Sequence, residues 1–412
     1  MDDQLTRVLG RWEGYAIGTA QRFEAGVKGP RPQVWIELHP RPERTKVCDG
    51  CGESPPEAAV HDVEPRWVRD LPILDAQTHL LVHRCRLACP RCGPKLERLS
   101  WLERYARVTT RLAESVARLC AAMPIKQVAA YYGLGWDQTK AIDKAYLGRT
   151  LGPVDLSGVE QIAMDEFAIQ KGHRYATVVV EPHEKRVLWV GRGRSREDVR
   201  PFFQMLGEEG CRRLRAVAMD MNASYELEVK HHCPQAEVVY DLFHVVMKYG
   251  REVIDRVRVD EANRLRHDKP ARKVVKGSRW LLLRNPRNIE RKEDRVKLKE
   301  LLAANRKLAT VYVLKDDLKH LWDFVSVGHA RRFWQHWYSR AMRSRIEPLK
   351  AFARKLKAYL PGILAHCQYP LHTSLLEGIN HKIKVIKRMA YGFRDDDYFF
   401  LKIRAAFPGN AG

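Results

Sequence analysis

Two apolar stretches in the middle of the chain each run into an aspartate, and this feature constrains the fold most. QIAM precedes Asp165, and RAVAM precedes Asp220. Burying an unpaired carboxylate at the end of an apolar strand costs several kcal/mol, so a partner must compensate it. A divalent metal ion does so well, because it binds oxygen ligands brought together from separate strands. Capping or an ion pair would explain one such aspartate, but two on neighbouring strands favour a metal site.

The segments around these aspartates alternate between strand and helix patterns. In chain order we predict strands at 158–169, 173–182 and 185–193, a helix at 195–210, a strand at 213–220, a helix at 222–234 and a strand at 236–241. Three strands, a helix, a strand, a helix and a strand is the order of a ribonuclease H-like α/β core. The fold class predicted for this part of the chain is therefore α/β.

The charge balance indicates a polyanionic partner. The chain has 412 residues, and its 73 Lys and Arg against 50 Asp and Glu give a net charge of +23. Such an excess attracts nucleic acid first and a membrane surface second. No run of about 18 apolar residues occurs, so we expect no transmembrane helix and no membrane partner.

Four of the nine cysteines form two Cys-x-x-Cys pairs, Cys48 with Cys51 and Cys89 with Cys92. Each pair has a glycine close behind, and a predicted hairpin at 70–84 lies between them. Zinc prefers four tetrahedral ligands, and each tight turn aims two thiolates at one point, so the pattern predicts a zinc ribbon with one structural ion. Cys85 with Cys89 is an alternative second pair, and free buried cysteines are the alternative to any metal site.

Residues 108–150 have helical periodicity interrupted at Pro124 and again at a glycine-containing turn. This spacing is typical of a helix-turn-helix, in which the first residues of the second helix face the DNA bases. The predicted base-reading residues are Trp136, Gln138, Thr139 and Lys140. A plain helical hairpin without a DNA role is the alternative; the net charge and the adjoining ribbon favour DNA.

Residues 246–345 are strongly basic and helix-forming, which predicts a helical insertion whose cations contact phosphates. For Trp334 and Trp337 we expect a local core instead. Residues 373–394 form an amphipathic helix with an apolar seam that includes Leu376, Ile379 and Ile383, and it carries the lone acid Glu377 among cations. Ser374 and Glu377 also match a capping box, the alternative to metal ligation.

These segments together resemble a known family. MDEFAIQKGHRYATVVV, AVAMDMNASY, VVYDLFHVV and LLEGINHKIKVIKRMAYGFR are similar to the DDE transposases of bacterial insertion sequences, specifically the ISL-three family. The resemblance covers nearly the whole chain, and its last motif is long and specific. It places the catalytic acids on Asp165, Asp220 and Glu377, and the zinc ligands on Cys48, Cys51, Cys89 and Cys92.

The resemblance implies phosphoryl transfer with two Mg²⁺ ions, for which Mn²⁺ can substitute. The three acids would bind the ions, with Asp165 bridging them. Water would first free a 3′-hydroxyl at the transposon end, and that hydroxyl would then attack target DNA. Lys384, Lys387 and Arg388 would contact the DNA phosphates. The implied partners are double-stranded DNA, as transposon ends and target, and a second copy of the chain on DNA; the implied location is the bacterial cytoplasm, on the nucleoid.

Three further polar residues lie near the predicted acids in the sequence. Asp241 precedes a helix, which favours an N-cap role. His244 could face the site, but a lone histidine is more often structural. Glu166 points to the other face of its strand.

The expected organisation has four parts. A zinc-ribbon domain spans 1–104 and a helix-turn-helix domain spans 105–155. The ribonuclease H-like core spans 156–245 with 346–405, and the basic insertion spans 246–345. The predicted function is a transposase that binds the terminal inverted repeats of its element and cleaves and transfers DNA strands. The alternatives are a transposase-derived DNA-binding regulator without cleavage and a ribonuclease H-like nuclease or resolvase.

Overall fold

The protein is described here by a computed structural model. It describes residues 12–54, 60–170, 172, 174–371 and 374–410, with the backbone alone at Ser374 and Leu375. The chain forms two compact units. The N-terminal unit runs to Gly152 and also includes Arg388–Lys402, whereas the second unit comprises Pro153–Lys387 and the residues from Ile403 onward.

The N-terminal unit is built on an open sheet. Its strands are β1 (Tyr15–Phe23), β2 (Gln33–Pro40), β3 (Val60–Ile73), β4 (Ala76–Cys89) and β5 (Gly93–Leu96). They run in the order β1-β2-β4-β3, with β5 pairing with β4. β2 and β4 are parallel, while the other pairs are antiparallel. The predicted hairpin at 70–84 is confirmed as the β3–β4 pair, which extends beyond that range on both sides.

Alternation along these strands separates a buried face from an outer face. Ile36 and Leu38 on β2 pack with Leu80 and Val82 on β4, each at most 1% exposed. Their sequence neighbours, including Glu37 and the histidines of β2 and β4, point to the opposite face because successive side chains alternate. The sheet therefore has an apolar inner face and a polar, partly aromatic outer face.

Two buried carboxylates fix this unit from within. Glu97 accepts a 2.6 Å hydrogen bond from the Tyr15 hydroxyl and pairs with Arg44. Asp70 accepts a 2.9 Å bond from the Trp12 indole and a second bond from the guanidinium of Arg111. Each buried charge is thus matched by a cation and neutral donors, which is the condition for burying it without a large penalty.

Three helices follow the sheet: α1 (Thr110–Ala122), α2 (Ile125–Tyr132) and α3 (Trp136–Thr150). α2 ends at Gly133, whose φ of 63° is in the left-handed region. Any side chain at this position would also overlap the Gln77 amide. The carbonyls at the end of α2 accept hydrogen bonds from Arg31 and Arg69, which places cations at the negative end of the helix dipole.

The second unit contains the other sheet. Its strands are β6 (Gln161–Gln170), β7 (Arg174–Glu181), β8 (Arg186–Arg192), β9 (Ala216–Met219) and β10 (Glu237–Tyr240). They are ordered β10-β9-β6-β7-β8. The β6–β7 and β7–β8 pairs are antiparallel, whereas β9 runs parallel to both β6 and β10. Strand and helix types were predicted in the correct order throughout this sheet.

Helices connect these strands and form most of the chain that follows them. Those between the later strands and just after them are α4 (Arg196–Arg213), α5 (Ala223–His232) and α6 (Leu242–Tyr249). A π-helical turn at Gly250–Ile254 then leads into α7 (Asp255–Arg264), α8 (Lys269–Gly277), α9 (Arg279–Leu283), α10 (Lys292–Ala304), α11 (Arg306–Lys319) and α12 (Val327–Arg343). The chain continues with α13 (Glu347–Ala358), α14 (Leu360–Leu364), α15 (Ser374–Met389) and α16 (Asp396–Ala406).

Two tryptophans of the helical insertion stack on each other and are buried. Trp334 and Trp337 are 4% and 1% exposed and stack with ring centroids 5.3 Å apart. The Trp337 indole also donates a 2.8 Å bond to the Leu314 carbonyl. The two tryptophans are buried, as predicted, but they belong to the same apolar core as residues of the second sheet and not to a separate local core. Across the described helices, none combines the length and the apolar character that crossing a membrane requires.

The C-terminal segment Arg388–Lys402 belongs to the N-terminal unit, whereas the expected division assigned it to the catalytic core. Asp395 pairs with Lys140 and Lys144 of α3, at 2.9 and 3.0 Å. Asp143, on the same helix and fully buried, pairs with Lys402 at 2.9 Å and accepts a hydrogen bond from the Tyr398 hydroxyl. Charge pairs between residues about 250 positions apart thus hold this segment on α3.

Candidate active site and DNA-binding elements

Asp165 and Asp220 occupy corresponding positions on neighbouring strands. β6 and β9 are parallel, and Ala163 pairs with Ala218. Each aspartate follows two residues after its alanine, so both side chains leave the same face of the sheet. Asp220 comes directly after β9, but Asp165 lies inside β6, which continues to Gln170 as the partner of β7. The predicted strand at 158–169, which includes Asp165, agrees with β6; only the apolar run, and not the strand, ends at Asp165.

The surroundings of Asp165 oppose its ionisation. Burial raises its pKa to about 6, and the nearby Asp220 adds to the shift, although the Glu166 amide donates a 2.7 Å bond to Oδ1 of Asp165. Asp220 accepts a 2.5 Å bond at Oδ1 from the amide of Met221. A carboxyl group with a raised pKa beside a second carboxylate is typical of sites that bind a cation or move a proton.

His244 lies near the two aspartates. The sequence analysis had favoured a structural role for this histidine. Burial alone would lower the pKa of His244, but the hydrogen bond to Asp241 and the charges of Asp220 and Asp165 together raise it. Asp241 stands at the N-cap position of α6, but among the described residues its side chain makes no capping bond to the helix; its Oδ2 instead lies 3.1 Å from Nδ1 of His244. The imidazole thus lies near three carboxylates, which favour its protonated form.

The apolar seam of α15 is buried. Leu376, Ile379 and Ile383 are each 2% exposed, which confirms the predicted amphipathic pattern. Asn380, also on α15, donates a 2.6 Å bond from Nδ2 to Oδ2 of Asp165. Glu377 lies one helical turn before Asn380 and is exposed. The helix predicted to carry the third acid is therefore joined directly to the first acid.

The three predicted acids are not drawn together into one cluster. Among the described residues, the ligand atoms of Asp165, Asp220 and Glu377 do not all lie within 4.8 Å of one another. The side chain of Ser374 lies outside the described residues, so the predicted capping box is not visible. The structure thus places Asp165 beside Asp220, and it places Glu377 on the adjoining helix.

Sequence reasoning missed Asn380. Its Oδ1 is buried without a hydrogen-bond partner among the described residues, while its Nδ2 contacts Asp165. A buried acceptor without a hydrogen-bond partner is energetically costly. The Asn380 oxygen, beside a carboxylate, is therefore a candidate to bind a ligand. The sequence did offer one indication: Asn380 is three residues after Glu377, and residues three apart lie on the same face of a helix.

The predicted phosphate contacts differ in their surroundings. Lys384 and Arg388 are exposed. The Lys387 amine donates a 2.9 Å bond to the Ala168 carbonyl on β6, so it also anchors α15 to the sheet. Glu166, predicted to lie on the other face, pairs with Arg194 at 2.8 Å.

The four predicted zinc cysteines form a compact cluster. The sulfur atoms of Cys48, Cys51, Cys89 and Cys92 all lie within 4.8 Å of one another. Cys51 and Cys89 are 3.6 Å apart, close to the ~3.8 Å edge of a tetrahedron with ~2.3 Å Zn–S bonds. The Cys92 amide helps to lower the pKa of Cys89 to about 7, which favours the thiolate that binds metal. This cluster fits a zinc ribbon.

Cys85 lies beside the cluster but faces other partners. Its sulfur accepts a 3.3 Å bond from the guanidinium of Arg44, which also pairs with Glu97. Burial raises the pKa of Cys85. Cys85 is not one of the four cysteines whose sulfur atoms converge, so the geometry favours Cys92 over Cys85 as the partner of Cys89.

The predicted base-reading residues of α3 are not equally accessible. Trp136 is 50% exposed, and Gln138 lines an open cleft together with Tyr105 and Arg107. Thr139 is fully buried, and its hydroxyl donates a 2.9 Å bond to the Gly135 carbonyl. A buried hydroxyl cannot reach a base edge, so the structure removes Thr139 from the predicted set. The Lys140 amine is paired with Asp395.

Comparison with known proteins agrees with this arrangement. A family model described as "Transposase", that of the ISL3 DDE transposases, matches residues 162–403. A second model, described as "Helix-turn-helix domain of transposase family ISL3", matches residues 97–147. The transposase for insertion sequence element IS1001 of Bordetella parapertussis is 53% identical over 412 residues, covering 100% of both chains. The transposase for IS1557 of Mycobacterium tuberculosis is 26% identical over 397 residues, covering 90% of this chain and 88% of its own.

A helix-turn-helix on one unit and an acid-bearing sheet on the other define a DNA-binding enzyme of the transposase class. The chain belongs to the ISL3 family of insertion-sequence transposases. It is a transposase with a helix-turn-helix DNA-binding domain and a DDE domain, and membership of this family implies DNA-cleaving activity. The family resemblance and the function predicted from the sequence are both confirmed at this level.

Proposed function

We propose that this transposase binds the terminal inverted repeats of its own insertion sequence and cleaves and transfers DNA strands at a site formed by Asp165, Asp220 and Glu377. The observation that carries the proposal is the register of β6 and β9, which sets Asp165 beside Asp220, together with the bond from Asn380 to Asp165. These contacts join two acids and the helix of the third.

A ribonuclease H-like core is the fold we propose for the second unit. The sheet topology supports this assignment. β6, β7 and β8 are antiparallel neighbours, β9 is parallel to β6, and β10 is parallel to β9. β6 and β9 are therefore neighbouring strands in the interior of the sheet. Asp165 lies on β6 and Asp220 directly follows β9.

The donor set around Asp165 fits magnesium. Two carboxylates from adjacent strands and the unpartnered Oδ1 of Asn380 are hard oxygen donors, which Mg²⁺ prefers. The raised pKa of Asp165 reflects burial near a like charge, which a bound cation would relieve. We propose that Asp165, Asp220 and Glu377 hold two Mg²⁺ ions, with Mn²⁺ able to replace them. When bound, the ions would supply a water nucleophile and stabilise charge on the phosphate.

The chain's own residues would position the DNA strand. Lys384 and Arg388 are exposed cations on α15 after Glu377, which suits contact with phosphates flanking the cleaved bond. His244, held by Asp241, is a proton donor or acceptor near Asp165 and Asp220. On α3, Trp136 and Gln138 would read the bases of the terminal repeat.

We further propose that two copies act together on DNA. An insertion sequence has two ends, and one N-terminal unit offers one helix-turn-helix. The purified protein is mixed with a duplex that carries one end of the element, and the mass of the complex is measured by light scattering. The expected mass is that of two chains together with two duplexes. A complex of one chain with one duplex under all conditions would contradict this part of the proposal.

The acid assignment is tested with a DNA duplex that carries the element's own end. Wild-type protein should nick it in Mg²⁺ or Mn²⁺, and Asp220→Asn should bind it with unchanged affinity and fail to nick it. Glu166→Gln is the matched control, because Glu166 is adjacent to Asp165 but pairs with Arg194; it should retain cleavage.

Undiminished cleavage by Asp220→Asn would refute the site. Binding without cleavage by wild-type protein would instead favour the DNA-binding regulator. Nicking of branched DNA without preference for the element's ends would favour the nuclease or resolvase.

A further inference from the structure

We propose that Glu37, His39 and His83 form a second metal site, on the outer face of the N-terminal sheet, for a borderline transition ion such as Zn²⁺. A carboxylate oxygen of Glu37 and a ring nitrogen from each histidine all lie within 4.8 Å of one another. Nε2 of His83 is 2.8 Å from Oε1 of Glu37, and Nε2 of His39 is 3.5 Å from the same oxygen.

The sheet itself brings these residues together. Glu37 and His39 are two residues apart on β2, so they share a face. β4 runs parallel to β2 with Leu38 opposite Val82, and the next pair in this register is His39 with His83. Leu38 and Val82 are fully buried, which turns their neighbours outward. The three ligands thus project from adjacent paired strands, a rigid support for a metal site.

The donor set suits zinc. Two imidazoles and one carboxylate are the protein ligands of zinc sites that keep a fourth position open. With metal–ligand bonds of ~2.0–2.1 Å, ligand atoms in a tetrahedral site are about 3.3 Å apart. The His39–Glu37 separation is close to this value, and the His83–Glu37 pair needs to open by about half an ångström.

Both histidines direct Nε2 at the same oxygen of Glu37. The ring of His39 stacks on that of His83 with centroids 4.5 Å apart and planes at 14°. A cation placed between the two ring nitrogens and this oxygen would be held by all three side chains.

Neighbouring residues on β1 accommodate the cluster. A Cβ on Gly18 would lie 2.5 Å from Cδ2 and 2.8 Å from Nε2 of His39, so the absence of a side chain leaves room for the ring. The β1–β2 pairing shifts register between Ile17 and Ala20, around this glycine. Thr19 donates a 3.2 Å bond to Oε2 of Glu37, which orients the carboxylate from behind as in other metal sites.

The site is distinguishable from the cysteine cluster because its donors are nitrogen and oxygen. Full-length protein is saturated with Zn²⁺, dialysed against zinc-free buffer and assayed for metal by elemental analysis. Two zinc ions per chain are expected. His83→Ala and Glu37→Gln should each retain one, which also shows that the cysteine cluster, and hence the fold of the unit, is intact.

His61→Ala is the matched control, since His61 is an exposed histidine of the same sheet that pairs with Asp62; it should retain two ions. Titration calorimetry with Zn²⁺ should show about tenfold weaker binding at the second site in Thr19→Ala. Gly18→Ala should displace the His39 ring and abolish the second event. One zinc per chain in the wild type, or two in His83→Ala, would overturn the proposal.

Discussion

Asn380 donates a 2.6 Å hydrogen bond from its Nδ2 to Oδ2 of Asp165 and so joins α15 to the central strand β6. The contact links residues 215 positions apart in the chain. Because Glu377 is one turn earlier on α15, the bond also fixes which way that acid faces. The arrangement of the acids therefore depends on an amide that is not one of them.

Replacing Asn380 by Ala should reduce DNA cleavage about 10–100-fold and leave DNA binding unchanged, because outer residues that orient metal ligands have effects of this size. The measurement is single-turnover nicking of an end duplex alongside a gel-shift affinity. His381→Ala is the control, since His381 is the next residue on the helix and is exposed. Full activity in Asn380→Ala would show that the bond does not position the site.

The raised pKa of Asp165 predicts a pH-dependent effect on stability. Between about pH 4 and 6 the folded protein binds more protons at this carboxyl group than the unfolded chain does, so its stability falls as the pH rises through that range. Above pH 6 the ionised carboxylate imposes a constant penalty of at most about 3 kcal/mol.

Asp165→Asn removes this penalty while keeping an acceptor for the Asn380 amide. In metal-free protein it should raise the melting temperature at pH 7.5 and have no effect near pH 3.5, even though cleavage is lost. Thermal unfolding of wild type and variant across this pH range measures the difference. An equal shift at both pH values would mean that the charge is not its cause.

The cysteine cluster should contribute stability through a thiolate-bound zinc ion. Cys89→Ser should lose this ion and unfold the N-terminal sheet at a lower temperature, because metal binding free energy is folding free energy in such sites. Cobalt substitution reports the site directly, since thiolate-to-cobalt absorption should disappear. Cys85→Ser is the control: Cys85 lies beside the cluster and is bonded to Arg44, and the variant should keep the absorption.

The two neighbours Gln138 and Thr139 should behave differently on substitution. Gln138→Ala should weaken binding to the element's own ends by about 1–3 kcal/mol relative to unrelated DNA, the size of one base contact. Thr139→Val should leave that preference unchanged and destabilise the protein by about 1 kcal/mol, because the buried hydroxyl loses its bond to Gly135. Competition binding and thermal unfolding separate the two outcomes.

The local sequence pattern was sufficient to predict most of the strands and helices. The strands and helices from β6 to β10 were predicted in order, since their apolar runs are bounded by turn residues and charged helical segments. The two Cys-x-x-Cys pairs predicted their own cluster, because four thiolates with this spacing have few other uses. β1, with the sequence YAIGTAQRF, was missed because it is an edge strand with mostly exposed side chains.

Contacts between distant segments were beyond the same reasoning. Nothing near Thr139 indicates that α3 buries this face, since its burial depends on what packs against the helix. The pairing of Asp143 with Lys402 and Tyr398 joins positions about 250 residues apart. Asn380 and His244 were not selected because a single polar residue gains meaning only from its neighbours in space.

The place of Arg388–Lys402 within the N-terminal unit limits how this protein can be divided for experiments. A fragment that stops at Gly152 would carry the whole helix-turn-helix and the cysteine cluster, yet it would leave the buried Asp143 without Lys402 and Tyr398. An uncompensated buried charge of this kind typically costs about 3–5 kcal/mol. A DNA-binding fragment should therefore be expressed with the C-terminal segment supplied, either fused through a linker or as a separate peptide.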